Sequence, residues 1–389
     1  MSSCFYLALQ YLRYHKGRAL LLLICLSIIT CLPLGVRTLI HHYQQELENR
    51  ARTTPLVLGV RGHRFDLVMS ALYFRVNLEA YSAMADLDAL RESGRASTYP
   101  LFVRHTASGV PIVGTSIDYF EYRGLRPVTG SLPMLLGDVV LGANAAEQLG
   151  AGPGSTILSD QVNLYSLAAQ YPLKMKVVGV LAPSGTADDE AIFADLKTTW
   201  VIEGLAHGHD DMTSPQQERN VLSRDEHKVV AGAGITTYVE VTPDNIDSFH
   251  FHGDPAALPL TSVICVPVNE KSATILKARY KLSKDRQLLD PASVIDELLQ
   301  MVFRVEAFLH SSFALVATAT AMLLGLIVLL SIRLRRDEFH TLHAIGCSRQ
   351  TVAGMVILEW LVIAATSFAF SAALIALTLY LAPNISRWL

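Results

Sequence analysis

A run of 22 residues without a charged side chain, 311–332, most constrains what this chain can fold into. At a rise of about 1.5 Å per residue, a helix of this length crosses a hydrocarbon core of about 30 Å. A second apolar run, 352–381, carries one ionisable residue, Glu359, near its start, and a third run, 19–36, lies near the N-terminus. The sequence therefore predicts three transmembrane helices.

Basic residues near the ends of these runs predict the orientation, because Lys and Arg in short loops are retained on the cytoplasmic side. Three precede the first run and four lie between the second and third, namely Arg13, Lys16 and Arg18, then Arg333, Arg335, Arg336 and Arg349. We therefore expect the N-terminus and the later loop to be cytoplasmic. The first run is interpreted as a retained anchor, since its apolar core is too long for a cleaved signal peptide and no Ala-x-Ala site follows it.

This orientation divides the chain into seven predicted segments. They are a cytoplasmic N-terminal segment 1–18, transmembrane helix 19–42, an extracytoplasmic (periplasmic) domain with helical stalks 43–307, transmembrane helix 308–333, a cytoplasmic coupling segment 334–351, transmembrane helix 352–382 and an extracytoplasmic tail 383–389. Of the five cysteines only Cys265 falls in the outer domain. An intrachain disulfide is thus excluded there, and a hydrophobic core must hold the domain together.

The outer domain mixes strand-like and helix-like patterns without strict alternation. Strands are expected at 56–60, 66–68, 96–103, 110–116, 138–141, 175–181, 236–241 and 262–268. Helices are expected at 80–93, 143–149, 272–280 and 292–308, the last running straight into the second span, and 207–225 is expected to be a loop. The predicted fold class is an α+β membrane protein, with three transmembrane helices and a large mixed α/β domain inserted between the first and second.

Several functional classes lack support in the sequence. The net charge of −3 lacks the positive excess that is typical of nucleic-acid-binding proteins, so no nucleic-acid partner is expected. The Gly-rich stretch 150–156 has no Lys, and Pro153 removes a backbone donor that a phosphate loop needs. We expect no catalytic residue and no cofactor in this chain, which is therefore not predicted to be an enzyme.

The segment between the second and third spans predicts a short amphipathic helix. Leu342, Ile345 and the adjacent basic residues could seat in a groove on a soluble partner. Gly346 would end the helix and let the chain re-enter the membrane. A plain basic loop that serves topology alone is the alternative.

Two sets of residues resemble the permease subunits of MacB/FtsX-type ABC transporters, the FtsX-like permeases. One is Arg336-x-Glu338 followed by Leu342-x-Ala344-Ile345-Gly346-x-Ser348-Arg349, with Glu359 early in the next span. The other is Gly-Asp-Val-Val-Leu-Gly at 137–142, with Ala-Ala-x-x-Leu-Gly at 145–150 and Lys-Val-Val-Gly-Val-Leu at 176–181. With the topology included, the resemblance covers most of the chain except about 205–290.

The resemblance implies a subunit that couples ATP hydrolysis by a separate cytoplasmic subunit to movement of the periplasmic domain, for export or extraction of a periplasmic or membrane substrate. It implies that the ATPase partner is contacted by Arg336, Glu338, Leu342, Ala344, Ile345, Gly346 and Arg349. Further implied partners are a second permease copy or homologue in a dimer, a periplasmic adaptor or carrier protein, and the lipid of the cell inner membrane. The alternative is a non-transporting regulator that activates a periplasmic partner such as a cell-wall hydrolase.

Family members usually have a fourth span, whereas this sequence ends at Leu389, just after the third. We therefore expect the fourth span to be lost from the lineage, supplied by a partner, or missing from this sequence. Glu359 is expected to pair with Arg349, Arg336 or a basic residue of a partner subunit; a functional role is the alternative.

Two His-x-His pairs leave one further question open. His207 with His209, and His250 with His252, alternate as strand residues do, which places both imidazoles of a pair on one face. Imidazole is a preferred ligand of Zn²⁺. Solvated polar loops are the alternative, and no metal ligand is assigned from the sequence.

Overall fold

The computed structural model describes residues 2–75, 78–161, 172–208, 221–225, 228–231, 238–251 and 253–385. It divides the chain into two compact units. The helical unit comprises Met1–Gln45 and Leu298–Leu389, and the α/β unit comprises Glu46–Glu297.

Helices and strands follow the chain in this order. The helices are α1 (Ser2–Tyr14), α2 (Lys16–Arg52), α3 (Arg64–Tyr73), α4 (Met84–Glu92), α5 (Asp118–Arg123), α6 (Ala143–Leu149), α7 (Leu196–Ile202), α8 (Glu270–Lys281), α9 (Pro291–Leu334), α10 (Arg336–Ala344) and α11 (Arg349–Ile385). The strands are β1 (Leu56–Val60), β2 (Ser82–Ala83), β3 (Ala96–Ala107), β4 (Val110–Thr115), β5 (Pro127–Gly130), β6 (Asp138–Leu141), β7 (Thr156–Leu158), β8 (Lys174–Leu181), β9 (Ile192–Asp195), β10 (Ala206–Gly208), β11 (Val221–Asp225), β12 (Lys228–Ala231), β13 (Phe249–Phe251), β14 (Pro259–Leu260), β15 (Ser262–Pro267) and β16 (Arg286–Leu289).

Three of the described helices are long and apolar enough to cross a membrane. They are α2 over Lys16–His41, α9, and α11 over Arg349–Thr378. A mixed α/β domain lies between the first and second of them, which confirms the predicted fold class.

Small hydroxyl residues join α2 to α11 inside the helical unit. The Oγ of Ser27 donates to the carbonyl of Ser367 over 3.4 Å, and the Oγ of Ser371 donates to the carbonyl of Ser27 over 3.1 Å. One turn further along α2, the hydroxyls of Thr30 and Ser371 lie 2.8 Å apart. Small residues let membrane helices approach closely and bond across their interface. The first and third spans are thus a closely packed pair.

A mixed ten-stranded sheet organises the α/β unit. Its order is β16-β1-β15-β3-β4-β9-β6-β8-β5, and β7 also pairs with β8. Neighbouring strands are antiparallel except for the pairs β4/β9 and β6/β8. One hydrophobic core lies where α4, α7 and α8 pack on β1, β3 and β15, and a second lies where α6 packs on β6, β8 and β9.

The elements with a clear pattern match their predicted positions. Strands at 56–60 and 138–141 and the helix at 143–149 have the predicted bounds, and Gly150 ends that helix in a left-handed conformation. The helix that runs directly into the second span is α9.

Other expectations were wrong. The run 66–68 lies within α3, because Leu67 and Ala71 are buried together on one helical face, which three residues are too few to reveal. The helix expected from residue 80 begins only at Met84, because Ser82 and Ala83 form β2. The Asp86 carboxylate accepts a hydrogen bond from the Ala83 N–H and so caps the start of the helix.

The loop expected at 207–225 begins within β10 and ends with β11, and the residues between those strands lie outside the described ranges. Of the strand expected at 236–241, only Glu240 forms a bridge, to Lys174, and residues 236–237 are likewise outside the described ranges.

Candidate coupling site

The segment between the second and third spans is built around a sharp break in the helix. Helix α9 ends at Leu334 and α10 starts at Arg336, so a single residue separates the two helices. The residue at the break is Arg335, whose side chain is 7% exposed. A cation that is nearly removed from solvent needs compensating partners.

Arg335 finds those partners on three helices of the helical unit. Its Nη1 donates to both carboxylate oxygens of Glu359 on α11, over 3.2 and 3.0 Å. Its Nε donates to Oε2 of Glu338 on α10 over 3.1 Å. Its guanidinium carbon lies 3.7 Å from the ring centroid of Tyr11 on α1, close enough for a cation–π interaction. One side chain therefore connects α1, α10 and α11.

The structure pairs Glu359 with Arg335 and not with Arg336 or Arg349, the partners expected from the sequence. The reason is the position of the break, which the apolar pattern does not show. A shift of one residue turns a side chain by about 100° around a helix axis. Arg336 and Arg349 instead line a cleft of about 990 Å³ among α2, α9, α10 and α11, together with His340 and His343.

Most side chains of helix α10 are exposed, and Phe339 and Leu342 are half-buried. None of its residues is buried within the structure. Ile345, which follows it, is 75% exposed, the Glu338 side chain is 59% exposed, Ala344 is exposed and Leu342 is half-buried. An exposed helix that ends in an apolar side chain is a surface on which a protein partner can dock.

The Gly-x-Ser part of the motif has a structural explanation. Gly346 has φ +103°, its N–H donates to the carbonyl of His343, and the N–H of Cys347 donates to the carbonyl of Leu342. This pair of bonds is the Schellman arrangement that ends a helix on a left-handed residue. Ser348 then accepts from the N–H of Thr351 over 3.2 Å and caps the start of α11.

In the α/β unit, the last turn of α2 is fixed by a buried ion pair. The Arg50 guanidinium donates to both oxygens of Asp188, over 2.6 and 2.9 Å, and its Nε donates to the carbonyl of Leu72. The Tyr119 hydroxyl donates to Asp188 over 2.8 Å. The side chains of Arg50 and Asp188 are only 4% and 2% exposed. From the sequence, Arg335 was identified only as a residue that predicts the orientation, and Tyr11 and this network were not identified at all, because the sequence does not show which charged side chains are buried.

Charge complementarity keeps Asp188 ionised inside the unit. Burial alone would raise its pKa, but the charge and hydrogen bonds of Arg50, with the bond from Tyr119, hold the pKa of Asp188 below its ordinary range. Gly142, the last residue of the motif at 137–142, packs against the same loop. A Cβ there would lie 2.3 Å from the carbonyl oxygen of Asp188, so the close approach requires glycine.

Of the two His-x-His pairs, the structure brings His207 and His250 together, while His209 and His252 lie outside the described residues. No group of three or more His, Cys, Asp or Glu able to hold a metal ion occurs in the described part of the chain.

Comparisons with known proteins place these features in one family. Residues 43–247 match the MacB-like periplasmic core domain, and residues 311–388 match the FtsX-like permease C-terminal domain. No curated protein matches the chain. Among solved structures, the periplasmic region of MacB from Actinobacillus actinomycetemcomitans matches with 12% identity and a TM-score of 0.36, covering 64% of this chain and 95% of that one. The extracellular domain of the noncanonic ABC-type transporter YknZ from Gram-positive bacteria matches with 10% identity and a TM-score of 0.34, covering 60% and 98%. With its core-domain match extending over more than half of its residues, the chain belongs to the MacB/FtsX family of ABC-transporter permeases and is a membrane protein with an extracytoplasmic domain.

Proposed function

We propose that this chain couples ATP hydrolysis by a separate cytoplasmic subunit to movement of its extracytoplasmic domain. The observation that carries the proposal is the exposed helix α10, held between two spans by the buried side chain of Arg335. An ATP-binding partner that docks on α10 would displace it when ATP binds. The bonds of Arg335 to Glu338 and Glu359 would pass that displacement to α11.

Long helices provide a path from the spans toward the outer domain. Helix α2 is continuous from Lys16 to Arg52, beyond the end of its apolar run, and α9 is continuous from Pro291 to Leu334. Near one end of α2, Arg50 forms its buried ion pair within the α/β unit. At the start of α9, within the α/β unit, Val294 and Ile295 are buried. A helix whose end is packed in this way cannot shift without moving its neighbours, which supports mechanical transmission.

The proposed setting is the cell inner membrane, with the N-terminus and α10 in the cytoplasm and the α/β unit in the periplasm. The permease would act as a dimer with a second copy or a homologue. Its work would be export or extraction of a substrate that is already in the periplasm or the membrane, with an adaptor or carrier protein as a further partner.

Copurification from the native membrane tests the coupling contact. We expect the wild-type chain to retain an ATP-hydrolysing subunit, and a chain with both Arg336→Glu and Arg349→Glu to lose it, because Arg336 begins α10, Arg349 begins α11, and both are exposed. Arg13→Glu is the matched control, since it reverses an exposed charge on α1, on the same predicted side of the membrane. Full retention of the ATPase by the double variant would contradict the proposed contact, and absence of any ATPase from the wild-type preparation would contradict the proposed function.

A further inference from the structure

The cleft in the helical unit combines apolar walls with a basic rim. Its volume is about 990 Å³, and its lining residues belong to α2, α9, α10 and α11. All of them lie within Met1–Gln45 or Leu298–Leu389, so the cleft is formed inside one compact unit. Sites for small molecules have volumes of about 300–1,000 Å³, and the cleft is at the upper end of this range.

The walls of the cleft run along two transmembrane helices. On α11 the lining residues follow one helical face from Val352 to Ala364, and on α9 they follow one face from Leu324 to Ile332. At a rise of about 1.5 Å per residue, the wall on α11 is about 18 Å long. One leaflet of a hydrocarbon core of about 30 Å is about 15 Å deep. The walls therefore have the length of an acyl chain in one leaflet.

The rim of the cleft is basic. Arg336, His340 and His343 follow one another at intervals of four and three residues, which places them on one face of α10. Arg349 joins them from the first turn of α11. Neither arginine forms an ion pair with a residue that the structure describes, and none of the described residues lining the cleft is Asp or Glu. The rim thus presents positive charge that no carboxylate in the cleft offsets.

A phospholipid has the same division into an apolar part and a charged part. A guanidinium binds phosphate oxygens through paired N–H donors, and a neutral imidazole can donate one N–H. Basic pockets between membrane helices bind anionic head groups in this way. A second copy of the chain packed on this face is the competing explanation, and basic residues that serve topology alone are another. Both predict that lipid charge makes no difference to binding.

We propose that the cleft binds one anionic phospholipid, with its phosphate held by Arg336 and Arg349 and one acyl chain lying against α9 and α11. The imidazoles of His340 and His343 would donate further hydrogen bonds to the head group. The proposal goes beyond the proposed function, because binding requires no ATP-binding subunit. A lipid in the cleft would nevertheless form part of the surface that such a subunit meets, since both arginines belong to the proposed contact.

Native mass spectrometry of the full-length chain, purified in detergent without an ATP-binding subunit, tests the basic rim. The probes are phosphatidylglycerol, which is anionic, and phosphatidylcholine with the same acyl chains, which has no net charge. We expect the wild-type chain to bind phosphatidylglycerol more tightly, and Arg336→Gln and Arg349→Gln each to weaken that binding by about 5-fold. Arg333→Gln is the matched control, because Arg333 is exposed in the last turn of α9 and does not line the cleft.

A second pair of variants tests the apolar walls and leaves every arginine in place. Gly325 lines the cleft and Gly354 does not, and a Cβ at either position meets nothing within 4 Å. Gly325→Trp should fill part of the cleft and weaken phosphatidylglycerol binding several-fold. Gly354→Trp, which adds the same side chain to a transmembrane helix outside the cleft, should leave the affinity unchanged.

Three results would overturn the proposal. They are equal affinity of the wild-type chain for the two lipids, arginine variants that bind phosphatidylglycerol as the wild type does, and a Gly325→Trp variant that cannot be distinguished from Gly354→Trp. If an arginine variant fails to fold, the lipid preference of the wild type and the two glycine variants decide the question. Because the ATP-binding subunit is absent from these measurements, failure of the lipid site and failure of the proposed function are distinguishable.

Discussion

At the scale of single residues, the packing of the coupling site depends on the guanidinium of Arg335, which contacts α1, α10 and α11. Removing one member of a buried ion pair leaves the other charged and unpaired, at a cost of about 3–5 kcal/mol. We therefore expect Arg335→Met to lower the thermal stability of the detergent-solubilised chain strongly. The double variant Arg335→Met with Glu359→Gln should recover part of the loss, because no buried carboxylate is then left alone.

The neighbouring arginine provides the control for this prediction. Arg336 is exposed, and Arg336→Met should change stability by no more than about 0.5 kcal/mol. Equal losses in the two single variants would show that position 335 is not the buried partner. A double variant no more stable than Arg335→Met would show that the pair with Glu359 is not the cause.

The Arg50–Asp188 pair predicts how stability depends on pH. Because the folded-state pKa of Asp188 is depressed, its contribution is complete above the ordinary Asp pKa of about 3.9 and is lost as pH falls through the lower folded value. Asp188→Asn removes this contribution at every pH. The stability difference between wild type and Asp188→Asn should therefore be largest near neutral pH and should shrink below about pH 4.

Thermal melts of both chains between neutral and acidic pH measure this difference. Glu190→Gln is a suitable control, because Glu190 lies in the same turn but its ion pair with Arg75 is half-exposed. A stability difference for Asp188→Asn that stays constant across the pH range would contradict a depressed pKa for Asp188.

At the scale of elements, the turn at Gly346 sets where α10 ends. Its φ of +103° is strained for any residue with a Cβ, so Gly346→Ala should destabilise the turn by about 1–2 kcal/mol and reduce retention of the ATP-hydrolysing subunit. The control is Gly354→Ala within α11, where a new Cβ meets nothing within 4 Å. It should be neutral or slightly stabilising, since Ala favours a helix interior.

Copurification and thermal melts of these two glycine variants check the expectation. Indistinguishable behaviour of Gly346→Ala and Gly354→Ala would mean that the left-handed turn is not needed for the contact.

Elements were predictable where a local pattern decided them, and not where distant contacts did. The spans and helix α6 follow from long apolar runs and a terminal Gly, and β1 and β6 follow from β-rich runs bounded by turn residues. The true bounds of α3 and of β2 depend on packing and capping that a three-residue run cannot show. At the candidate site, the motif at 336–349 could be recognised from the sequence because its residues are adjacent in the chain. The partner of Glu359 could not be predicted, because it depends on the residue at which α9 ends.

At the scale of the whole molecule, Cys265 reports whether the α/β unit is folded. Burial in the core beside β1 raises the pKa of this thiol to about 12, so little thiolate forms at neutral pH. In a chain where Cys265 is the only cysteine, we expect no reaction with a maleimide in the native state and full reaction after denaturation. A chain that retains only Cys347, which is half-buried, should react without denaturant.

Maleimide labelling of the two single-cysteine chains followed by mass spectrometry measures the labelled fraction of each cysteine. Rapid labelling of native Cys265 would contradict the position of β15 in the core.

The hydroxyl contacts between α2 and α11 have a consequence for biosynthesis. Thr30 and Ser371 are 341 positions apart, so α2 enters the bilayer long before its partner helix has been translated. Until then the outer domain can fold while the first span diffuses alone, its Ser and Thr groups satisfied only by their own helix. The pair can close only after α11 has entered the bilayer, and therefore after the outer domain has been translated. In a nascent chain halted before α11, the hydroxyls of Ser27 and Thr30 would face lipid instead of α11. Membrane quality control could distinguish such a chain from the finished protein.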